Sequence, residues 1–260
     1  MTELFTRAKT LPAAYHAALS GLSRKGDIVD CPDWNTRCME AGLTLVVDNP
    51  LREPMISRLM PATPYDLQKY KMEMLDGIMD FCVGKGWDYT YHLRMTRFPC
   101  RDENGDDWEE NQIDFVIDEL SSDPYSRRAI INVRDVYADS YMGDPACLQH
   151  IQFLIRDGKL NMDVLFRSND AVNAAFMNDF ALVMLQQRIA ARLSVDVGCY
   201  VKRVNSFHAY ERDWEKLRAW DERIGWDTDG LTYEYEGDWK KLMQAEEAKI
   251  NRFVEELHGE

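Results

Sequence analysis

The chain has 260 residues, of which 45% are hydrophobic, 29% charged and 11% aromatic. That composition excludes disordered, collagen-like and disulfide-scaffold classes and predicts one globular domain over residues 1–260. The 45 acidic against 31 basic side chains give a formal net charge of -14, which argues against a nucleic-acid or anionic-membrane partner and requires any bound phosphate to meet a local arginine cluster.

No apolar run reaches the roughly 20 residues of a membrane span, and the opening MTELFTRAKTLPAAYHAALSG lacks the order of a signal peptide, so a cytoplasmic location is expected. In chain order, NPLREPMISRLMPATP, up to residue 64, carries four prolines and RDENGDDWEEN (101–111) is strongly polar, and both predict surface loops. From Gln112 to Leu120, Ile113, Val116, Ile117 and Leu120 recur at helical spacing, and SSDP ends the helix just before Arg127 and Arg128. Ala129–Val133 reads as a short strand. Leu148–Ile155 and Lys159–Arg167 flank Asp157-Gly158, a hairpin signature. Residues 171–194 form the longest apolar helical pattern, a strand follows near Tyr200–Val204, and residues 238–258 form an amphipathic terminal helix. The expected class is α+β, with helices packed over a central mixed sheet.

Three clusters can carry chemistry. The six cysteines, Cys31, Cys38, Cys82, Cys100, Cys147 and Cys199, show neither a CxxC pair nor metal-ligand spacing, so no metal is expected. Cys147 follows a Gly- and Pro-containing loop at the entry to a strand, and as a nucleophile it needs nearby positive charge to form thiolate. Arg167-Ser168 offers a forked donor beside a hydroxyl, the equipment of a phosphate site. Asn178-Asp179 places two polar groups inside an apolar helix. The face through Asn178 continues to Leu182, Leu185, Ile189 and Leu193, whereas that through Asp179 is mixed, which points Asn178 inward. His208 and Tyr210 alternate onto one face at a strand end.

Together these segments resemble the thymidylate synthase superfamily. The nucleophile motif, a Cys followed five residues later by Gln-Phe, matches Cys147 with Gln152-Phe153. The paired phosphate arginines match Ser126-Arg127-Arg128, the Arg-Ser-x-Asp motif matches Arg167 to Asp170, and the His-x-Tyr pair matches His208 and Tyr210. The resemblance implies that Cys147 adds to C6 of a pyrimidine nucleoside monophosphate, making C5 nucleophilic toward the one-carbon unit of 5,10-methylenetetrahydrofolate. It further implies that Arg167 and Ser168 hold the phosphate, with Arg127 and Arg128 lent by the partner of a sheet-mediated homodimer with shared active sites. His208 and Tyr210 would hold the sugar, and Asp170 and Tyr89 would face the folate. The family's proton-relaying glutamate falls on Tyr70 when the helix motif is anchored on Gly77, and Glu73 lies one turn further as a substitute.

Within the superfamily, GDIVD, RSND, FMNDFA and SFHAYERD resemble the deoxycytidylate hydroxymethylases of bacteriophages, in which an aspartate reads cytosine. Local similarity puts Asp179 in that role, while ungapped spacing puts Asn178 there. This implies hydroxymethylation of (d)CMP in the cytoplasm, that of a host if the gene is a phage's. Its alternatives are methylation or hydroxymethylation of dUMP, or nucleotide and folate binding without turnover. The sequence ends ELHGE, where thymidylate synthases carry small apolar residues, which favours water over hydride in the last step.

Overall fold

The structure, a computed structural model, describes residues 1–226 and 229–259. The order of elements is β1 (Glu3–Ala8), α1 (Leu11–Lys25), β2 (Asp27–Cys31), β3 (Thr36–Val47), β4 (Ile56–Ser57), α2 (Pro64–Asp76), α3 (Tyr91–Thr96), β5 (Phe98–Arg101), β6 (Asp107–Glu110) and α4 (Gln112–Ser122). There follow β7 (Ile130–Asn132), α5 (Val136–Asp139), β8 (Leu148–Arg156), β9 (Lys159–Asp170), α6 (Ala175–Arg192), β10 (Asp196–Tyr210), α7 (Trp214–Trp226), β11 (Thr232–Tyr233) and α8 (Lys240–His258).

The expected α+β class holds. Seven strands form one mixed sheet in the order β1-β3-β10-β9-β8-β7, with β2 also paired to β3. β1 runs parallel to β3 and β9 parallel to β10, and the remaining pairs in this sheet are antiparallel. Alternation explains the strands: Leu160, Met162, Val164 and Phe166 of β9 are buried toward the helices, while Asn161, Asp163 and Leu165 between them are half-buried on the other face. The β8–β9 hairpin closes at Asp157 and Gly158, whose φ of 52° and 70° is the left-handed conformation a two-residue turn of this hand demands.

The helices lie on one face. α6 covers β9 and β10, α1 covers β1 and β3, α2 packs outside α6, and α8 packs outside α2. The expected 171–194 helix starts only at Ala175, because the Asp170 carboxylate accepts from the amides of Val172 and Asn173 and closes a turn first. The expected strand at 200–204 is the centre of the longer β10, whose outward residues Arg203 and Asn205 are exposed and hide its extent in an apolarity reading. The expected loop at 101–111 instead belongs largely to the β5–β6 hairpin, held by Arg97 on Glu109 and Arg101 on Asp107. No helix among the described residues is long and apolar enough to cross a membrane.

Candidate active site

Strand directions decide which ends meet. β8 is antiparallel to β9, with Leu148 opposite Phe166, so Cys147 at its entry lies beside the C-terminal end of β9. β10 is parallel to β9 there, with Ser206 beside Ser168 and His208 beside Asp170. The first turn of α6 begins at the same end. The sheet thus gathers Cys147, Arg167, Ser168, Asn178 and His208 in one place.

Cys147 is half-buried. The amide of Arg167 donates to the Cys147 carbonyl at 2.9 Å, and the Arg167 guanidinium folds over the preceding segment, donating to the carbonyls of Pro145 at 2.5 Å and Ala146 at 3.1 Å. It also reaches Asp144 at 3.3 Å. Burial pushes the thiol up, Arg167 pulls it back and Asp144 opposes that pull, so the free protein holds Cys147 mainly as thiol at neutrality. Arg94 of α3 pairs with buried Asp139 at 2.8 Å and with Asp135 at 3.4 Å.

A cleft of about 380 Å³ is lined by Tyr70, Glu73, Trp87, Tyr89, Tyr91 and Asp144, among others. The Tyr89 and Tyr91 rings pack 5.6 Å apart, and the Tyr91 hydroxyl accepts from the amide of Leu148 at 3.3 Å. Tyr70 projects from α2 and donates its hydroxyl hydrogen to Oδ1 of Asn178. Glu73, one turn along, is ion-paired with Lys69 at the cleft wall.

Asn178 and Asp179 part company. Asn178 faces Tyr70 at the cleft side, whereas Asp179 is fully buried against the sheet, its oxygens taken by the Tyr200 hydroxyl at 2.8 Å and Lys202 Nζ at 2.7 Å. The structure therefore does not bring Asp179 to the cleft. Lys202, also fully buried, adds Asn169 Oδ1 at 3.2 Å. Burial raises the Asp179 carboxyl and lowers the Lys202 ammonium, and each group partly restores the other.

Ser168 Oγ lies 3.3 Å from His208 Nδ1, and the His208 and Tyr210 rings meet edge-on at 5.0 Å, as their alternation predicts. Asp170 is occupied locally, accepting from Val172, Asn173 and the Asn173 side chain. Arg127 and Arg128 do not join this cluster. Both are exposed, and Arg128 pairs with Glu119 at 2.8 Å. Sequence reasoning missed Tyr91, Trp87 and the Lys202 pair. The Tyr89-x-Tyr91 spacing was a usable signal, since consecutive residues of a short helix entry line one wall, but a lone lysine within VKRV carried none.

The thymidylate synthase family model matches residues 66–251. A protein of Methanocaldococcus jannaschii named "Putative thymidylate synthase" is 29% identical over 84% of this chain and 96% of its own length. One of the same name from Methanosarcina barkeri is 27% identical over 81% of this chain and 91% of its own length. The "Deoxycytidylate 5-hydroxymethyltransferase" of Enterobacteria phage T2 is 32% identical over 51% of this chain and 59% of its own length. The matched span contains the cleft, the cysteine and the residues gathered round it, and the chain belongs to the thymidylate synthase family.

Proposed function

We propose that the protein transfers a one-carbon unit to C5 of cytidine or deoxycytidine 5′-monophosphate and completes the transfer with water, leaving a 5-hydroxymethyl group. The family uses methylenetetrahydrofolate as one-carbon donor, which supplies a carbon at the oxidation level of formaldehyde. The aromatic cleft fits a flat heterocycle of that kind: Trp87, Tyr89 and Tyr91 line it, and the Tyr91 hydroxyl accepts from the amide of Leu148, the residue after Cys147.

The observation that carries the reading is the placement of Cys147 between Arg167 and the cleft, with Asn178 at the same end of the sheet. Cys147 loses its proton and adds through Sγ to C6 of the pyrimidine, and the electron pair of the C5–C6 double bond passes to C5. C5 takes up the one-carbon unit and loses its own hydrogen as a proton, and the bond from that carbon to the folate nitrogen breaks, releasing tetrahydrofolate. Water then adds to the resulting exocyclic methylene, the C6–S bond breaks, and Cys147 is regenerated. Arg167 and Ser168 hold the phosphate, His208 and Tyr210 the sugar, Asn178 the base edge, and Tyr89 and Asp170 the folate.

Likeness to the phage enzyme, whose name states deoxycytidylate as substrate, supports the cytosine choice. A second reading, uridylate methylation, rests on Asn178 rather than Asp179 standing at the cleft, since an amide that turns its nitrogen to C4 pairs with uracil. The test is incubation with folate donor and each of CMP, dCMP, UMP and dUMP, followed by mass spectrometry. Gain of CH2O by a cytidylate is the expected result. Gain of CH2 by a uridylate, with dihydrofolate released, would establish the second reading. Cys147→Ser should lose at least about 10³-fold in turnover while still binding nucleotide, and turnover within about tenfold of wild type would remove the nucleophile.

A further inference from the structure

A carboxamide has two unlike ends, an oxygen that only accepts and a nitrogen that only donates. Which end faces which part of a pyrimidine decides what the residue can read. For Asn178 the choice is made by a neighbour, because the Tyr70 hydroxyl donates to Oδ1. Burial, then the Glu73 charge, pushes the Tyr70 phenol well above its ordinary range, so it keeps its proton at any working pH. A neutral phenol can donate as well as accept, and here it donates, so Oδ1 sits at the Tyr70 end and Nδ2 at the other.

Tyr70 also lines the aromatic cleft with Trp87 and Tyr89. On the proposed function, on which this inference rests, the one-carbon unit reaches C5 from that cleft. C4 adjoins C5 in the ring and N3 lies one atom further round. The end of the amide nearest Tyr70 thus meets the C4 substituent, and the far end meets N3.

We infer that Tyr70 is a specificity-determining positioning residue: by holding Oδ1 of Asn178 toward C4 it turns an asparagine into a reader of cytosine. Cytosine presents an amine donor at C4 and an acceptor at N3, so both contacts pair. Uracil presents an acceptor at C4 and N–H at N3, so both contacts set like against like. A site with two such contacts discriminates by much more than an apolar pocket does, because the wrong base leaves polar groups unpaired. The same logic predicts that a carboxylate at position 70, which only accepts, would draw Nδ2 toward itself and reverse the preference.

The experiment measures dissociation constants of CMP, dCMP, UMP and dUMP by calorimetry for the full chain and for Tyr70→Phe and Tyr70→Glu, with circular dichroism to confirm folding. Binding is read without turnover, so loss of catalysis in a variant does not obscure the result. Wild type is expected to favour the cytidylates at least about tenfold. Tyr70→Phe should bring the two bases within about threefold, and Tyr70→Glu should favour the uridylates. A measurement on wild type alone supports these: the pyrimidin-2-one nucleotide, which lacks any C4 substituent, should bind between cytidylate and uridylate. Its binding tighter than cytidylate or weaker than uridylate would overturn the inference, as would folded variants that keep the wild-type ratio within about twofold. Wild type that binds none of these nucleotides would instead overturn the proposed function, and this inference with it.

Discussion

Consecutive residues of a helix are turned about 100° apart, so Asn178 and Asp179 cannot both face one ligand. The helix gives the first to the cleft and the second to a fully buried pair with Lys202. Such a pair stabilises little on net, but removal of one partner strands a charge in the core. Lys202→Met is therefore expected to cost about 3–5 kcal/mol, and adding Asp179→Leu should recover most of it. Urea denaturation of both single variants and the double variant checks this, and additive losses would contradict it. His16 of α1 provides a second residue-scale expectation. The Ser57 hydroxyl, accepting from Leu59, lies 2.8 Å from His16 Nε2, and burial lowers this imidazole to about 4. The unfolded chain protonates first, near pH 6.5, so His16 contributes its full stability above that value and loses it as pH falls toward 4. The loss amounts to at most about 3 kcal/mol. The stability of His16→Gln should vary less between pH 7 and 4.5 than that of wild type, and parallel curves would refute the assignment.

Among elements, α2 matters most to the site because it carries Tyr70 and Glu73. Its start is a reciprocal cap: Thr63 Oγ1 accepts from the Asp66 amide, and Asp66 Oδ2 accepts from the Thr63 amide at 2.8 Å, with Pro64 in the first turn. Its end is Gly77, at φ 65°, where a Cβ would run into His92 and Asp80. Thr63→Ala should cost about 1 kcal/mol and speed amide exchange in the first turns of α2, and unchanged exchange there would count against the cap. The elements legible beforehand were those with one apolar face: α4, the β8–β9 hairpin and α8 all fall within a few residues of expectation. The β5–β6 hairpin was not legible, since strands held by exposed ion pairs leave no apolar alternation to read. In the site, the residues of short motifs were legible. The Tyr70–Asn178 contact was not, because it joins positions 108 apart that only the packing of α2 on α6 brings together.

At the scale of the whole molecule, two exposed arginines and the sheet point the same way. Arg127 and Arg128 are exposed and outside their own cleft, and the face of the sheet turned from the helices carries half-buried Val46, Leu154, Leu165 and Val201. A two-fold dimer through that face, with each protomer lending its arginines, is the expected assembly. Mixing Cys147→Ser with Arg128→Ala subunits should restore one working site per heterodimer, up to about a quarter of wild-type activity after random reassociation of two nearly inactive parents. No gain on mixing would argue for self-contained sites. The position of β3 has a different consequence, for synthesis of the chain. β3 receives β1 and β2 along one edge early, but its other edge waits for β10, which the ribosome delivers only after residues 196–210. A nascent chain therefore presents the open backbone edge of residues 38–47, flanked by Leu43, Leu45 and Val47, through most of translation. Keeping that edge from pairing with a neighbouring chain makes the protein dependent on how quickly the last strand of its main sheet emerges.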